Sequence, residues 1–390
     1  MEKLSIKESL SQTHKLEPIR VLFFTESFIG PEFPGLQAQL YEECLRLSQK
    51  MKILVITQEY REQVLHNNLE VRKVSRISFP ILKTLFSIAV HWSATFQNRK
   101  KFDILYVRYI SLPWIISAIL SKKILHKKLV IWLGSSRKAD TGIRGNFFKP
   151  FLKIAINNAD FVGSSSYNVI KDVEEYLGKI DEKKIVIFSQ AVDTESFKPE
   201  KNIITSNDII TVARINPEKG LETIIDSIPF VIKKFPNAKF KIIGPKEDQS
   251  YFNKLQKIIT TSGVSDNIEF VGSIPHNNLA KWYNSSKVFV LTSKTEEQSI
   301  VTLEAMSCGK SVVVTPVGAL SELIDNGKNG FLVPPEQPEK LAEIITHLLE
   351  DRKLREDIGK AARTTIEEKF TWKQYITSLV DLFGKVKSID

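Results

Sequence analysis

Two cations and two carboxylates stand in or just after loops that follow apolar runs, the places where a folded chain most often does chemistry. Arg214 and Lys219 lie in the segment Val212–Leu221, between a strand-like run ending at Ala213 and a helical pattern starting near Leu221. A helix N-terminus already favours an anion through its unpaired N–H groups and its dipole. An arginine fork and a compact lysine charge beside it suit a diphosphate. For this segment taken alone, two solvated surface charges are the stronger reading. Glu296 and Glu304 are eight residues apart, the first in the loop Ser293–Ser299 and the second in a short helix near Ile300–Ser307 that Gly309 closes. Carboxylates at such an edge accept hydrogen bonds from sugar hydroxyls, while the first N–H groups of the helix hold phosphate. Against this, Glu296 or Glu297 need only complement the helix dipole, and Glu304 need only pair with a lysine. Pro34-Gly35 follows the first strand-like run, where glycine permits either close approach to a ligand or simply a tight turn.

Other chemistries find less support. No GxGxxG follows a strand-like run, which counts against NAD or FAD, and there is no GxxxxGK[ST] of a P-loop. The six histidines, at 14, 66, 91, 126, 276 and 347, show no pair at helix-face ligand spacing, so no metal site is expected. Cys44 and Cys308 are the only cysteines, too few for a disulfide framework or a zinc cluster, which fits a reducing, intracellular compartment. The net charge of +10 points to an anionic substrate or surface. The basic residues are spread out, with no arm or RNP-like aromatic motif, so no nucleic-acid partner is expected.

Residues 1–17 are polar and lack the apolar stretch of a secretory signal. The most apolar stretches, Ile77–Phe96 and Leu112–Leu120, fall short of the roughly 18 clean apolar residues of a span. Both read as amphipathic helices on a sheet, with peripheral membrane contact as the secondary expectation.

These residues need a frame to position them, and the pattern along the chain supplies one. Ile19–Phe24 reads as a buried strand, followed by a Gly/Pro-rich loop, a helix over Ala38–Ser48 and a strand over Ile53–Thr57. The alternation continues through Ile104–Val107, Leu129–Trp132, Phe161–Gly163 and Ile185–Phe188, and pauses near Gln190–Pro199. It restarts with strand Ile209–Val212, helix Leu221–Lys234, strand Phe240–Ile243, helix Tyr251–Thr260 and strand Ile268–Val271. Helix Asn278–Asn284 and strands Val288–Thr292 and Ser311–Thr315 follow, then helical stretches at Pro338–Glu350 and Trp372–Lys387. Two such runs in 390 residues predict an α/β protein of two doubly wound domains, with ligands at the carboxyl ends of the strands.

Together the segments resemble the retaining glycosyltransferases of the GT-B fold (family four, glycosyltransferase group 1). VARINPEKGLETIIDSI at 212–228, KIIGPKED at 241–248 and the stretch from Ile268 to Pro335 carry most of the likeness, and AVDTESFKP at 191–199 resembles the family's interdomain linker. The resemblance implies two Rossmann-like domains facing across a cleft: residues 1–192 on the acceptor side, and residues 193–372 binding the nucleotide sugar. The helix at 373–390 would pack back on the first domain.

The same resemblance implies roles. Glu296 and Glu304 match the two glutamates of the E-x7-E motif, the first at the transferred sugar and the second on the donor's ribose. Arg214 and Lys219 match the pair that binds the diphosphate and stabilises its leaving charge. Backbone groups at Gln298, Ser299, Ile300 and Val301 would face the sugar and diphosphate, those near Ser273 and Ile274 the nucleobase, and Gly35 the donor from the other domain. The implied activity is transfer of a sugar, a hexose by preference, from a nucleotide-diphosphate sugar to a glycan or lipid-linked acceptor with retention, without metal or cofactor, in the cytoplasm or at the inner membrane face.

The sequence departs from the family at four places, one of them Gln190-Ala191 in place of the usual Asn-Gly. Glu296-Glu297-Gln298-Ser299 lacks the usual glycines after the first glutamate. Pro34 replaces a glycine. Leu133 stands where many members carry histidine. A GT-B enzyme of another class, such as a sugar-nucleotide epimerase, and a non-catalytic binding module are the competing readings.

Overall fold

The computed structural model describes residues 18–28, 36–61, 66–75, 83–108, 111–133, 143–200 and 208–389. Short runs rich in β-branched and aromatic residues become strands covered on both faces, as parallel sheets require. The first seven are β1 (Arg20–Phe28), β2 (Lys52–Tyr60), β3 (Leu69–Lys73), β4 (Ile104–Val107), β5 (Lys128–Leu133), β6 (Phe161–Ser164) and β7 (Ile185–Ile187). The helices among them are α1 (Leu36–Ser48), α2 (Lys83–Gln97), α3 (Leu112–Lys123), α4 (Ile143–Asn158) and α5 (Tyr167–Leu177). The strands make one parallel sheet in the order β3-β2-β1-β4-β5-β6-β7.

A second parallel sheet follows the same winding. Its strands are β8 (Asp208–Val212), β9 (Lys239–Ile243), β10 (Ile268–Gly272), β11 (Val288–Leu291), β12 (Ser311–Val314) and β13 (Phe331–Leu332), in the order β10-β9-β8-β11-β12-β13. Its helices are α6 (Leu221–Ile232), α7 (Gln249–Ser262), α8 (Leu279–Ser285), α9 (Ile300–Ser307), α10 (Leu320–Leu323), α11 (Pro338–Glu350) and α12 (Arg352–Lys369), and α13 (Trp372–Lys387) ends the chain. The strand order reverses between β1 and β4 and again between β8 and β11. At such switch points adjacent loops diverge and leave a crevice for a ligand.

Successive residues of β1 go to opposite faces. Val21 and Phe23 join the cluster with Tyr106 and Trp132, whereas Leu22 and Phe24 join the one with Leu105 and Ile131. The first of these clusters is closed by the last helix. Trp372, Tyr375, Leu379, Phe383 and Val386 recur every three or four residues and present one apolar face to the first sheet. The chain thus crosses back after the second sheet, and Val192 bridges to Thr371 where the two crossing strands of chain meet.

Several elements lie outside the sequence reading. β3 is half polar (Leu-Glu-Val-Arg-Lys) and β13 has two residues, so neither shows a buried-strand run. α12 buries only Ile358, Gly359, Ala362 and Ile366 of its 18 residues, and α4 contains Pro150. No helix among the described residues is long and apolar enough to cross a membrane.

Candidate active site

The loops after β8 and β11 meet at the second switch point, and backbone contacts hold them together. After β8 the chain makes one tight turn over Pro217–Lys219, closed by Gly220 at φ +55°. A side chain there would be strained by the left-handed conformation, and its Cβ would collide with the carbonyl of Thr292 in the neighbouring loop. Thr292 Oγ1 donates to Gly220 O at 2.9 Å, and Lys294 N donates to Glu218 O at 2.7 Å.

This stitching brings Lys219 to Glu296. Lys219 Nζ lies 2.7 Å from Glu296 Oε1, with 14% and 12% of the two side chains exposed. Ser293 Oγ donates to the same oxygen at 2.7 Å. Arg214 sits differently. Its side chain is 53% exposed, and Nη1 donates to Glu247 Oε1 at 2.7 Å, while Asn216 Nδ2 donates to the other oxygen of Glu247 at 2.6 Å. Glu247 belongs to the loop after β9, so three strand ends converge on the cations.

Glu304 forms a second cluster on the same edge. Ser299 caps α9 by accepting from Thr302 N, and Glu304 lies on that helix with 2% exposure. Its Oε1 is 2.6 Å from His276 Nε2, and its Oε2 accepts from Tyr283 OH at 2.9 Å. The partners of this carboxylate are therefore an imidazole and a phenol, not the lysine of the simpler sequence reading. Burial alone would depress the His276 pKa. The hydrogen bond and charge of Glu304, with Asp193 beyond it, outweigh that effect and hold the pKa above the usual histidine range. The ring packs against Phe197, with centroids 5.2 Å apart.

The loop that departs from the family pattern reaches across to the first domain. Trp132 Nε1 donates to Glu297 Oε1 at 2.8 Å, and Gln190 Nε2 donates to the same oxygen at 2.9 Å. Gln190 N donates to Gln298 Oε1 at 2.5 Å. The two side chains that replace the family's small residue and its neighbour thus join the domains. Burial pushes the Glu297 carboxyl up to about 7, although Trp132, Arg108 and Gln190 pull the other way. Behind this loop, Gly318 at φ +54° lets the backbone touch the carbonyl of Glu296, which a Cβ would overlap.

The remaining sequence candidates are distributed along the edge. Ile300 and Val301 form the first turn of α9, whose N–H groups lack helical acceptors and can take phosphate oxygens. Ser273 is exposed and Ile274 half-buried just beyond β10. Leu133, at the position of the family histidine, is buried in the core. Gly35 falls outside the described residues. Sequence reasoning missed His276, Tyr283, Glu247, Ser293, Trp132 and Gln190. None of the six sits at a spacing that marks it, and a single histidine after a strand carries no signal by itself.

Residues 192–365 match the family model described as glycosyl transferases group 1. The sulfoquinovosyl transferase of Arabidopsis thaliana is 35% identical over 207 residues, covering 50% of this chain and 38% of that protein. An uncharacterized glycosyltransferase of Methanocaldococcus jannaschii is 33% identical over 175 residues, covering 45% of this chain and 44% of that one. The chain thus spans less than half the length of these two curated relatives. Among solved structures, Anabaena HepE in complex with UDP and glucose superposes with a TM-score of 0.75 at 19% identity, over 95% of this chain and all of that one. Over residues 192–365 the chain is thus similar to the group 1 glycosyltransferases, and its two parallel-sheet domains have the GT-B fold.

Proposed function

We propose that this protein transfers a sugar, by preference a hexose, from a nucleotide-diphosphate sugar to an acceptor hydroxyl with retention of anomeric configuration, in the synthesis of a glycan, glycolipid or polysaccharide. The observation that carries the proposal is the Lys219–Glu296 contact at the switch point of the second sheet, beside the N-terminus of α9. That arrangement offers positive charge for a diphosphate and a carboxylate for sugar hydroxyls within one crevice.

In this scheme Arg214 and Lys219 take the charge that builds on the leaving diphosphate, a stabilisation that grows toward the transition state. The bond between the anomeric carbon and the phosphate oxygen breaks, and the sugar becomes oxocarbenium-like. The acceptor oxygen attacks from the same face and passes its proton to the leaving phosphate oxygen, so the buried Leu133 needs no basic substitute. Glu296 holds the transferred sugar and Glu304 the ribose. Backbone groups of Gln298, Ser299, Ile300 and Val301 face the sugar and diphosphate, and those of Ser273 and Ile274 face the base. Retention rests on the family likeness. The work would be done in the cytoplasm.

A lipid-linked acceptor at a membrane face suits α2. Leu85, Phe86 and Phe96 are exposed along it, Arg99 lies against Phe96, and the helix carries no acidic residue in its first turn. The decisive experiment is transfer by Arg214→Ala and Lys219→Ala with a panel of UDP-, GDP- and ADP-sugars, read by product mass. Each substitution should lower kcat by about 10²–10³ while leaving thermal unfolding nearly unchanged for the exposed Arg214. Near-normal turnover in both variants would remove the leaving-group role.

A further inference from the structure

Glu304 is an almost fully buried carboxylate, and such a charge costs several kcal/mol unless a partner compensates it. Tyr283 cannot supply the compensation. Its burial and the adjacent Glu304 push the phenol pKa well above its usual range, so it donates as a neutral hydroxyl. Cys308, the other titratable neighbour, is pushed up by burial to about 12 and stays a thiol. His276 remains, 2.6 Å from Oε1, with Asp193 adding negative charge on its side and Phe197 packed on its ring. It lies in a short turn over His276–Asn278 after β10 and is 26% exposed, so it stands at the boundary between the buried carboxylate and solvent.

We propose that His276 is a positioning residue for donor recognition: as an imidazolium it fixes the orientation of the Glu304 carboxylate for the vicinal hydroxyls of the donor's ribose. A carboxylate accepts about four hydrogen bonds, and His276 and Tyr283 take two, which leaves two for a diol. The inference rests on the reading of Glu304 as the ribose ligand. It adds that the ligand works as a pair, and that the pair is neutral only while His276 keeps its proton. When the proton is lost, the pair becomes net negative beside a dianionic diphosphate, and the carboxylate loses the charge-assisted bond that sets its plane. The His276 pKa is raised in the fold, so the favourable state is complete at low pH and disappears as pH rises through that raised value.

The test uses the full chain and the tightest binder among UDP-, GDP- and ADP-glucose. Affinity is measured by calorimetry from pH 6 to 9 for the wild type, His276→Gln and Glu304→Gln, alongside the 2′,3′-dideoxy form of the same nucleoside diphosphate. His276→Gln should weaken donor binding about tenfold at pH 6.5 and narrow the preference for ribose over dideoxyribose. It should also raise KM for the donor by more than it lowers kcat. The wild type should lose affinity more steeply toward pH 9 than His276→Gln, whose residual slope reports Glu297. His276→Asn repeats the measurement if the glutamine variant does not fold. Wild-type affinity, ribose preference and pH profile in the His276 variants would overturn the proposal while leaving Glu304 in place. If Glu304→Gln also binds as the wild type does, the underlying ribose reading is the one that fails.

Discussion

The two domains share one winding, yet they stiffen their cleft-facing edges by opposite means. In the second domain the backbone does it: Gly220 and Gly318 let loops touch neighbouring carbonyls, and main-chain bonds such as Lys294 N to Glu218 O lock the strand ends together. Lys219, Glu296 and Arg214 then stand on a rigid edge with polar atoms to offer a ligand. In the first domain side chains do it. Arg108, just after β4, forms an ion pair with Glu43 of α1 and donates to Tyr375 OH of α13 at 2.8 Å, while that hydroxyl donates to Glu43 at 2.9 Å. Both charged groups are almost fully buried. Charges spent on joining three elements of one domain are not available to substrate. Among the described residues, the edge stitched by backbone is thus the one that carries Arg214, Lys219 and Glu296 at its strand ends, and the other carries a buried ion pair that helps hold α13 in place.

The largest expected effect breaks the side-chain half of this comparison. Glu43→Ala leaves the Arg108 guanidinium buried without its carboxylate and should cost about 3–5 kcal/mol in urea unfolding. Adding Arg108→Met should recover a substantial part of that loss, because a well-packed apolar group tolerates the site. If the double variant is no better than the single one, the ion pair is not what joins α1 to α13.

A smaller effect tests the backbone half. Gly318→Ala places a Cβ against the Glu296 carbonyl in a left-handed conformation and should cost about 2–3 kcal/mol. Its signature is that transfer falls further than stability predicts, since the displaced loop carries Glu296. Loss of stability with proportionate loss of activity would mean the glycine serves only the fold.

The same contrast explains what was legible in the sequence. The second edge is written locally: Arg214 and Lys219 lie in one loop, Glu296 and Glu304 in one loop and helix, and strand ends predicted to within a few residues place all four. The first edge is assembled from afar. Arg108 meets Tyr375 across 267 positions, and Trp132 meets Glu297 across 165. No periodicity or spacing links such residues, because only the returning last helix and the facing of the two domains bring them together. His276 and Glu304 are nearer, 28 positions apart, but they sit on different elements, and their pairing depends on how the turn after β10 packs against α9. Edge elements escaped for another reason: β3 and the polar helix α12 bury too little of themselves to show a pattern.

Glu297 is where the two edges meet, and it allows the finest test. Burial raises its carboxyl to about 7 from 4.5, against the donors Trp132 and Gln190 and the charge of Arg108, with Glu296 adding repulsion. Because the folded value lies above the unfolded one, the fold binds the extra proton between those two values. Its contribution to stability is complete below about pH 4.5 and is lost as pH rises through about 7. Glu297→Gln keeps a carbonyl oxygen for Trp132 and Gln190 and removes the ionisation. The variant should match the wild type near pH 5 and exceed it by about 1–2 kcal/mol at pH 8, after screening by the solvent that reaches this partly buried group. Chemical denaturation of both proteins at four pH values between 5 and 8 reads the difference directly. Parallel curves would mean that Glu297 ionises as freely in the fold as in the unfolded chain, and that the bridge between the domains rests on Gln298 and the Gln190 amide instead.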